Sequence, residues 1–578
     1  MTSGVYREIT DLLNEEIGTV CKSWDKDVSI ALVYPNTYHV AMSNLGFQVV
    51  YRLFNNRDDV ICERAFLPDR RNVPGRGEGK GRVKTLESNR DLLEFDIIAF
   101  SVPFENDFSN ILEILSLSAI PLEADRRMEG DPLVIAGGIT SYLNPEPMVD
   151  FIDTFLVGEG EAVIGPFLNS YKKSESSSRK ELLARLSGTE GVYVPSMYDV
   201  TYSQKGHVES YVPVSGSPEK VKRKWLTQRD YESADTGSSV ITKNTEFSSM
   251  YLVEVGRGCG RGCRFCAAGF ISLPPRTRDE KKLLAHFEDG LEKTDKIGLI
   301  SPSLADHPDI EKICSDIVAM GGRSSISSVR ADKIERAYLE HIKKGGQKTV
   351  TLAPEAGTER LRDVINKGLS DYSILEAVKT LAHVGIPNIR LYFMIGLPTE
   401  SETDIDGIIS LSIKCRNLFI EKSRVHGRVG NITVSVNSFV PKPFTPFQWH
   451  PMDDEKLLKR KMRKIKKALG KESNIAVIND VPKWSHIQGL LSRGDRRVGK
   501  VIHTVYRNGG DWKSAVKEAG IDPLFYTTRA REKDELFPWE IIDIGLNRKY
   551  LRDEYLRGLE GKHTPPCKIG SCTRCGVC

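Results

Sequence analysis

The stretch from Gly256 to Phe270 reads GRGCGRGCRFCAAGF. Three cysteines, Cys259, Cys263 and Cys266, fall within eight positions, with five glycines around them. Three thiolates on one tight loop suit an iron–sulfur cluster that keeps one iron free of protein ligands. A structural zinc ion takes four protein ligands, and no fourth cysteine or histidine lies nearby. The glycines let backbone wrap a cluster and point N–H groups at its sulfides.

Outward from this loop the chain alternates. Strand candidates are MYLVEV (250–255), KIGLIS (296–301), SSISSV (324–329), KTVTLA (348–353), IRLYFMIG (389–396) and NITVSVNSF (431–439), with segments of helical period between them. Six strand–helix repeats in this length predict a partial barrel, smaller than an eight-fold one. The cysteine loop directly follows the first strand.

Upstream, the apolar runs VSIALVYP (28–35), FDIIAFSVPF (95–104) and PLVIAGG (132–138) read as buried strands. FSNILEILSLSAI (108–120) has helical period, and FIDTFLVGEGEAVIGPFL (from 151) reads as a short strand, a turn and a helix. This predicts a parallel α/β sheet, which binds ligands at the carboxyl ends of its strands. Ser101, Gly137, Gly138 and Gly158 stand at those ends. The composition then shifts to KKSESSSRK, and GVYVPSMYDVTYSQKGHVESYVPV reads as a hairpin. The expected organisation is an α/β domain (1–170), a connector (171–245), a barrel (246–450), a helical region (451–560) and a cysteine tail (561–578).

In the helical region DEKLLKRKMRKIKKALGK keeps apolar residues at 458, 462, 465 and 469 on one face. Its basic face reads either as solvated or as a docking surface for an acidic partner. The chain closes with TPPCKIGSCTRCGVC. Cys567, Cys572, Cys575 and Cys578 have the spacing to close around a second [4Fe–4S] cluster or a zinc ion. The isolated Cys21, Cys62, Cys314 and Cys415 read as small buried apolar residues.

The bulk numbers exclude little else. With 578 residues the chain needs several domains. A net charge of +4 gives no argument for nucleic acid. No apolar run approaches a membrane span, and the polar N-terminus lacks a secretion signal, so a cytoplasmic location and free or metal-bound thiols are expected.

At the cysteine loop the sequence resembles the radical SAM enzymes, over roughly 245–450. The resemblance implies that Cys259, Cys263 and Cys266 bind a [4Fe–4S] cluster whose open iron takes the amino and carboxylate groups of S-adenosylmethionine. An electron then splits the sulfonium to give a 5′-deoxyadenosyl radical. It also implies an electron donor such as a ferredoxin or flavodoxin. Phe265 corresponds to the aromatic whose backbone faces adenine. SVRAD (328–332) offers Ser328 and Arg330, APEAGTERLR (353–362) offers Glu355 to the ribose, and GLPTE (396–400) ends the fifth strand. The family's Gly-Gly-Glu after the second strand is replaced by SPS at 301–303.

The first 165 residues resemble the cobalamin-binding domain fused to many of these enzymes, through AGGITSYLNPEPMVDFIDTFLVGEGE (136–161) and SNLG (43–46). No D-x-H-x-x-G occurs, so the domain reads either as binding cobalamin without that histidine or as purely structural. FVPKPFTPFQW (439–449) and the cysteine tail complete the likeness. It implies a cobalamin-dependent C-methyltransferase, with a protein residue as substrate; the glutamine of methyl-coenzyme M reductase is one case it raises. The alternatives are a radical SAM enzyme that modifies RNA or a small molecule without methyl transfer, and a non-enzymatic iron–sulfur electron carrier.

Overall fold

A computed structural model describes residues 11–68, 82–173, 178–214, 216–326, 328–427 and 429–577. The chain forms two compact units. Unit 1 comprises residues 1–249, 490–526 and 534–545; unit 2 comprises 250–489, 527–533 and 546–578.

Unit 1 is built on a sheet of order β2-β1-β3-β4-β5-β6. Its strands are β1 (Val28–Tyr34), β2 (Val60–Phe66), β3 (Ile97–Ser101), β4 (Leu133–Gly137), β5 (Thr154–Leu156) and β6 (Val192–Tyr193). All pairings are parallel except β5 with β6. The expected strands are there because uninterrupted apolar runs fill a sheet covered on both faces. Helices α1 (Leu45–Asn55), α2 (Phe108–Leu117) and α3 (Gly160–Lys172) separate them. Asn44 caps α1 by accepting from the Phe47 N–H, and Phe47, Tyr51 and Phe54 form its buried stripe. The expected hairpin is β7 (Tyr198–Tyr202) with β8 (Val208–Pro213).

β2 was invisible to hydrophobic pattern because VICERAF carries two charges. Arg64 and Glu63 are both buried. Arg64 pairs with Glu16 and Glu87, each at 2.6 Å, while Glu63 accepts from Thr85 and Ser88. Residues 490–526 add a further buried contact to this unit: Arg496 donates to Glu146 at 3.0 Å, and Tyr193 donates to the same carboxylate at 2.5 Å.

The strand order places a switch point between β1 and β3, the place where doubly wound sheets bind their ligands. Asp107 sits there, accepting from Asn36 at 2.9 Å. Burial pushes its carboxyl up to about 6. A raised carboxyl favours the fold while protonated, so its contribution is lost as pH rises from about 4 to about 6. Asp107→Asn is expected to stabilise the protein at pH 7 by an amount on the order of 2 kcal/mol and to flatten that decline. Urea unfolding at pH 4.5 and pH 7 measures it; equal stabilities of variant and parent at pH 7 would sink the assignment.

Unit 2 carries seven parallel strands among its described residues, one more than expected. They are β9 (Tyr251–Glu254), β10 (Lys296–Ile300), a third strand in two pieces, β11 (Arg323–Ile326) and β12 (Ser328–Val329), then β13 (Thr349–Glu355), β14 (Asn388–Ile395), β15 (Asn431–Ser438) and β16 (Ile475–Asn479). Helices α4 (Glu280–Lys293), α5 (Ile310–Ala319), α6 (Arg336–Lys344), α7 (Asp371–Val384), α8 (Glu402–Ser423) and α9 (Glu455–Leu469) connect them. The added strand, β16, is a half-exposed edge strand, which hides it from a search for buried runs. In α9 the expected face is buried: Leu458, Met462, Ile465 and Leu469. The outer face is partly paired, Arg460 and Lys464 both reaching Glu402. A last helix, α10 (Arg548–Leu559), precedes the tail.

No described helix is long and apolar enough to cross a membrane. Cys62, Cys314 and Cys415 are buried as expected, but Cys21 is exposed, because it lies in an irregular segment ahead of β1.

Candidate active site

The cysteine loop leaves β9 and is pinched at its base, where Gly256–Arg257 pairs antiparallel with Arg276–Thr277. Gly258 (φ +79°) turns the chain so tightly that a Cβ there would sit 2.4 Å from the Ser272 carbonyl oxygen. Cys259, Cys263 and Cys266 are all half-buried on this loop.

One cavity brings together most of the predicted residues. Its wall includes the three cysteines, Phe265, Ser328, Arg330 and Glu355. Ser303, from the SPS segment, and Asp306 also line it. These residues come from the ends of four successive strands, where a barrel places its chemistry.

The electrostatics are built from pairs. Glu355 accepts from Lys367 at 3.2 Å, and Arg330 is bidentate on Asp332 at 2.9 and 3.1 Å. Arg330 also donates to the Lys367 carbonyl at 2.9 Å. Arg261, between two of the cysteines, pairs with Asp306. Glu355 holds a left-handed backbone (φ +69°) at the end of β13, an uncommon conformation for a residue with a side chain. Burial pushes the Cys266 thiol up to about 12. The Cys263 thiol is also raised by burial, opposed by the nearby Lys367 and Arg330. Thiols so placed become strong ligands once a metal displaces the proton.

Among the described residues no three His, Cys, Asp or Glu side chains converge tightly enough for one ion. Three thiolates on one loop suit a cluster, in which each binds a different iron. The donor set and the open cavity beside it therefore fit a three-cysteine cluster.

Three residues here escaped sequence reading. Lys367 places a buried cation in the cavity wall. Arg264 is fully buried and donates to Glu554, to the Asp363 and Val364 carbonyls, to the Lys562 carbonyl and to Thr564. Asn366 donates to the Arg261, Gly262 and Thr564 carbonyls. Asparagine and lysine in RLRDVINKG look like an ordinary helix surface, and the arginine between Cys263 and Cys266 looks like a solvated loop residue; only contacts with distant chain show otherwise.

In unit 1, Ser101 and Gly137 end adjacent strands and pair in register. A Cβ on Gly137 would face open space, leaving room above the strand end. Gly138 (φ +99°) faces the Val102 backbone, and Gly158 (φ +131°) faces that of Lys224, where a Cβ would lie 2.0 Å from the carbonyl oxygen. The last two glycines thus let chain approach chain. In the tail, the Cys567 amide donates to the Gly260 carbonyl at 2.7 Å. Cys572 and Cys575 are described, and Cys578 lies outside the described residues.

Comparison with known proteins agrees with this geometry. Residues 253–411 match the family model of the radical SAM superfamily, and residues 46–195 match that of the N-terminal region of radical SAM proteins. An uncharacterized protein of Methanocaldococcus jannaschii, MJ0966, is 30% identical over 476 residues, covering 82% of this chain and 90% of that protein. The anaerobic magnesium-protoporphyrin IX monomethyl ester cyclase of Cereibacter sphaeroides is 23% identical over 44% of this chain and 40% of its own length. The structure of OxsB, a cobalamin-dependent S-adenosylmethionine radical enzyme with aqua-cobalamin and S-adenosylmethionine bound, is 12% identical at a TM-score of 0.45, covering 83% of this chain and 68% of that one. With three cysteines on the loop after the first barrel strand, and both family models matched, the chain belongs to the radical SAM superfamily.

Proposed function

We propose that the chain is a cobalamin-dependent radical SAM methyltransferase acting on an unactivated carbon of a protein residue. The observation that carries the radical part of the reading is one cavity shared by the three cysteines, Ser328, Arg330, Glu355 and Lys367; the methyl-transfer part rests on the resemblance of the first 165 residues to a cobalamin-binding domain. When bound, a [4Fe–4S] cluster supplies the electron that cleaves S-adenosylmethionine, and cobalamin supplies the methyl group.

The chain's own residues bind and orient. Cys259, Cys263 and Cys266 hold the cluster. Glu355 presents carboxylate oxygens to ribose hydroxyls, held in place by Lys367. Ser328 and Arg330 offer polar contacts to the methionine end. Asp306 also lines the cavity beside the substituted SPS segment, with its carboxylate already paired to Arg261. For cobalamin, the switch point between β1 and β3 and the open space above Gly137 are the expected place. Among protein substrates, the glutamine of methyl-coenzyme M reductase is the one the sequence resemblance raises.

The test is proteome-wide mass spectrometry of cells with and without this chain, looking for a lost 14-Da mark on one peptide. No such loss would favour the reading without methyl transfer. Cobalt analysis of anaerobically purified protein is a second check. Bound cobalamin is expected to give a cobalt(II) paramagnetic resonance spectrum without imidazole nitrogen splitting. His39, exposed just after β1 and 3.7 Å from Glu246, is the histidine to watch. A splitting that disappears in His39→Ala would contradict this expectation and make His39 the lower ligand.

A further inference from the structure

We propose that Cys567, Cys572 and Cys575, completed in the sequence by Cys578, hold a thiolate-bound metal centre of their own, docked against the cysteine loop at Gly260. The proposal stands independently of the methyl-transfer reading.

The tail is built into the loop, not merely near it. The Cys567 amide donates to the Gly260 carbonyl, and a Cβ on Gly260 would lie 3.3 Å from the Cys567 Cβ. Just upstream, the Thr564 amide donates to the Asn366 side chain at 2.9 Å. Asn366 returns a hydrogen bond to the Thr564 carbonyl and another to the Gly262 carbonyl, both at 3.1 Å. One buried side chain thus ties the approach of the tail to the loop. None of the residues lining the cavity belongs to the tail. The tail therefore meets residues of the loop that do not face the cavity.

The turn that carries the thiols is held by defined contacts. Arg574 donates to the Cys572 sulfur at 3.3 Å and to the Pro565 carbonyl at 2.9 Å, holding the turn between them. Cys575 is buried, its carbonyl accepting from the Asn547 amide at the start of α10. No described helix or strand follows α10. A dozen residues with four cysteines and no core are ordered by a metal more readily than by packing. Cys567, Cys572 and Cys575 do not yet converge as a set of three, and metal binding is what would draw them together.

The ligand is a thiophilic metal: a [4Fe–4S] cluster or zinc, both of which four thiolates satisfy. The test uses full-length protein purified without oxygen. In the C259A/C263A/C266A variant, about four iron and four sulfide, or else about one zinc, are expected to remain per chain. Adding C572S and C575S should remove them. Iron with sulfide identifies a cluster, and zinc identifies a structural ion; either supports the site. Because the multiple variants could fail to fold, the parent protein is also probed by thiol alkylation and mass spectrometry. Cys567, Cys572 and Cys575 should be protected until a chelator is added. Equal labelling of these three before and after chelation overturns the proposal, whatever the metal content of the variants.

Discussion

Replacing Cys259, Cys263 and Cys266 together by alanine is expected to reduce 5′-deoxyadenosine formation to the level of a protein-free control. Among the described residues the three thiols are the only cysteines in the cavity wall, and they lie on a loop whose base is closed by strand pairing. Without them no thiolate is left there to hold a cluster, and no electron reaches S-adenosylmethionine. The assay supplies S-adenosylmethionine and a strong chemical reductant under anaerobic conditions and measures the nucleoside by chromatography. Formation at the parent rate would refute the assignment of the loop. The same sample should keep its fold, since the cysteines are half-buried and their removal leaves the strand pairing intact.

The largest expected effect on stability belongs to Arg264. Its guanidinium is wholly buried and joins α10, the tail and the helix turn at 363–364. Arg264→Met removes the cation but leaves the buried Glu554 carboxylate and three carbonyls behind. Removing one partner of a buried pair costs about 3–5 kcal/mol. Arg557, 3.6 Å from Glu554, offsets a little of this, so the lower end is expected. Urea unfolding of the full chain, followed by a probe in unit 2, reads the loss. Adding Glu554→Gln should restore part of it, because the orphaned charge is then gone. A loss under about 1 kcal/mol would mean that the pair contributes no more than a surface one.

Much of this site could be read from residues in order along the chain. The cysteine spacing named the loop, and the resemblance to the radical SAM enzymes that it carries named Phe265, Ser328, Arg330 and Glu355. These are local signals: a short motif, or a residue just past an apolar run. What could not be read depends on partners far away in sequence. Arg264 meets Glu554 across 290 positions and Asn366 meets Thr564 across 198. Lys367 looks like a surface lysine until β13 brings Glu355 to it. β2 failed to register because Arg64 is paired with Glu16 and Glu87 and Glu63 is held by Thr85 and Ser88, none of which the strand itself contains. Gly158 was expected to make room for a ligand, whereas the nearest thing to it is the backbone of Lys224. A glycine announces that something approaches; it does not say what.

Unit 1 takes its sheet from residues 28–193 but is finished by residues 490–526 and 534–545. On the ribosome, the parallel sheet therefore emerges long before the segment that completes it, and the whole barrel is made in between. Until Arg496 arrives, Glu146 and Tyr193 lack the cation that their buried hydrogen bond is arranged around. The earlier unit must wait, incomplete, for the later one to be synthesised, reversing the usual order in which domains mature from the N-terminus. A fragment cut at residue 249 would be frozen in that unfinished state.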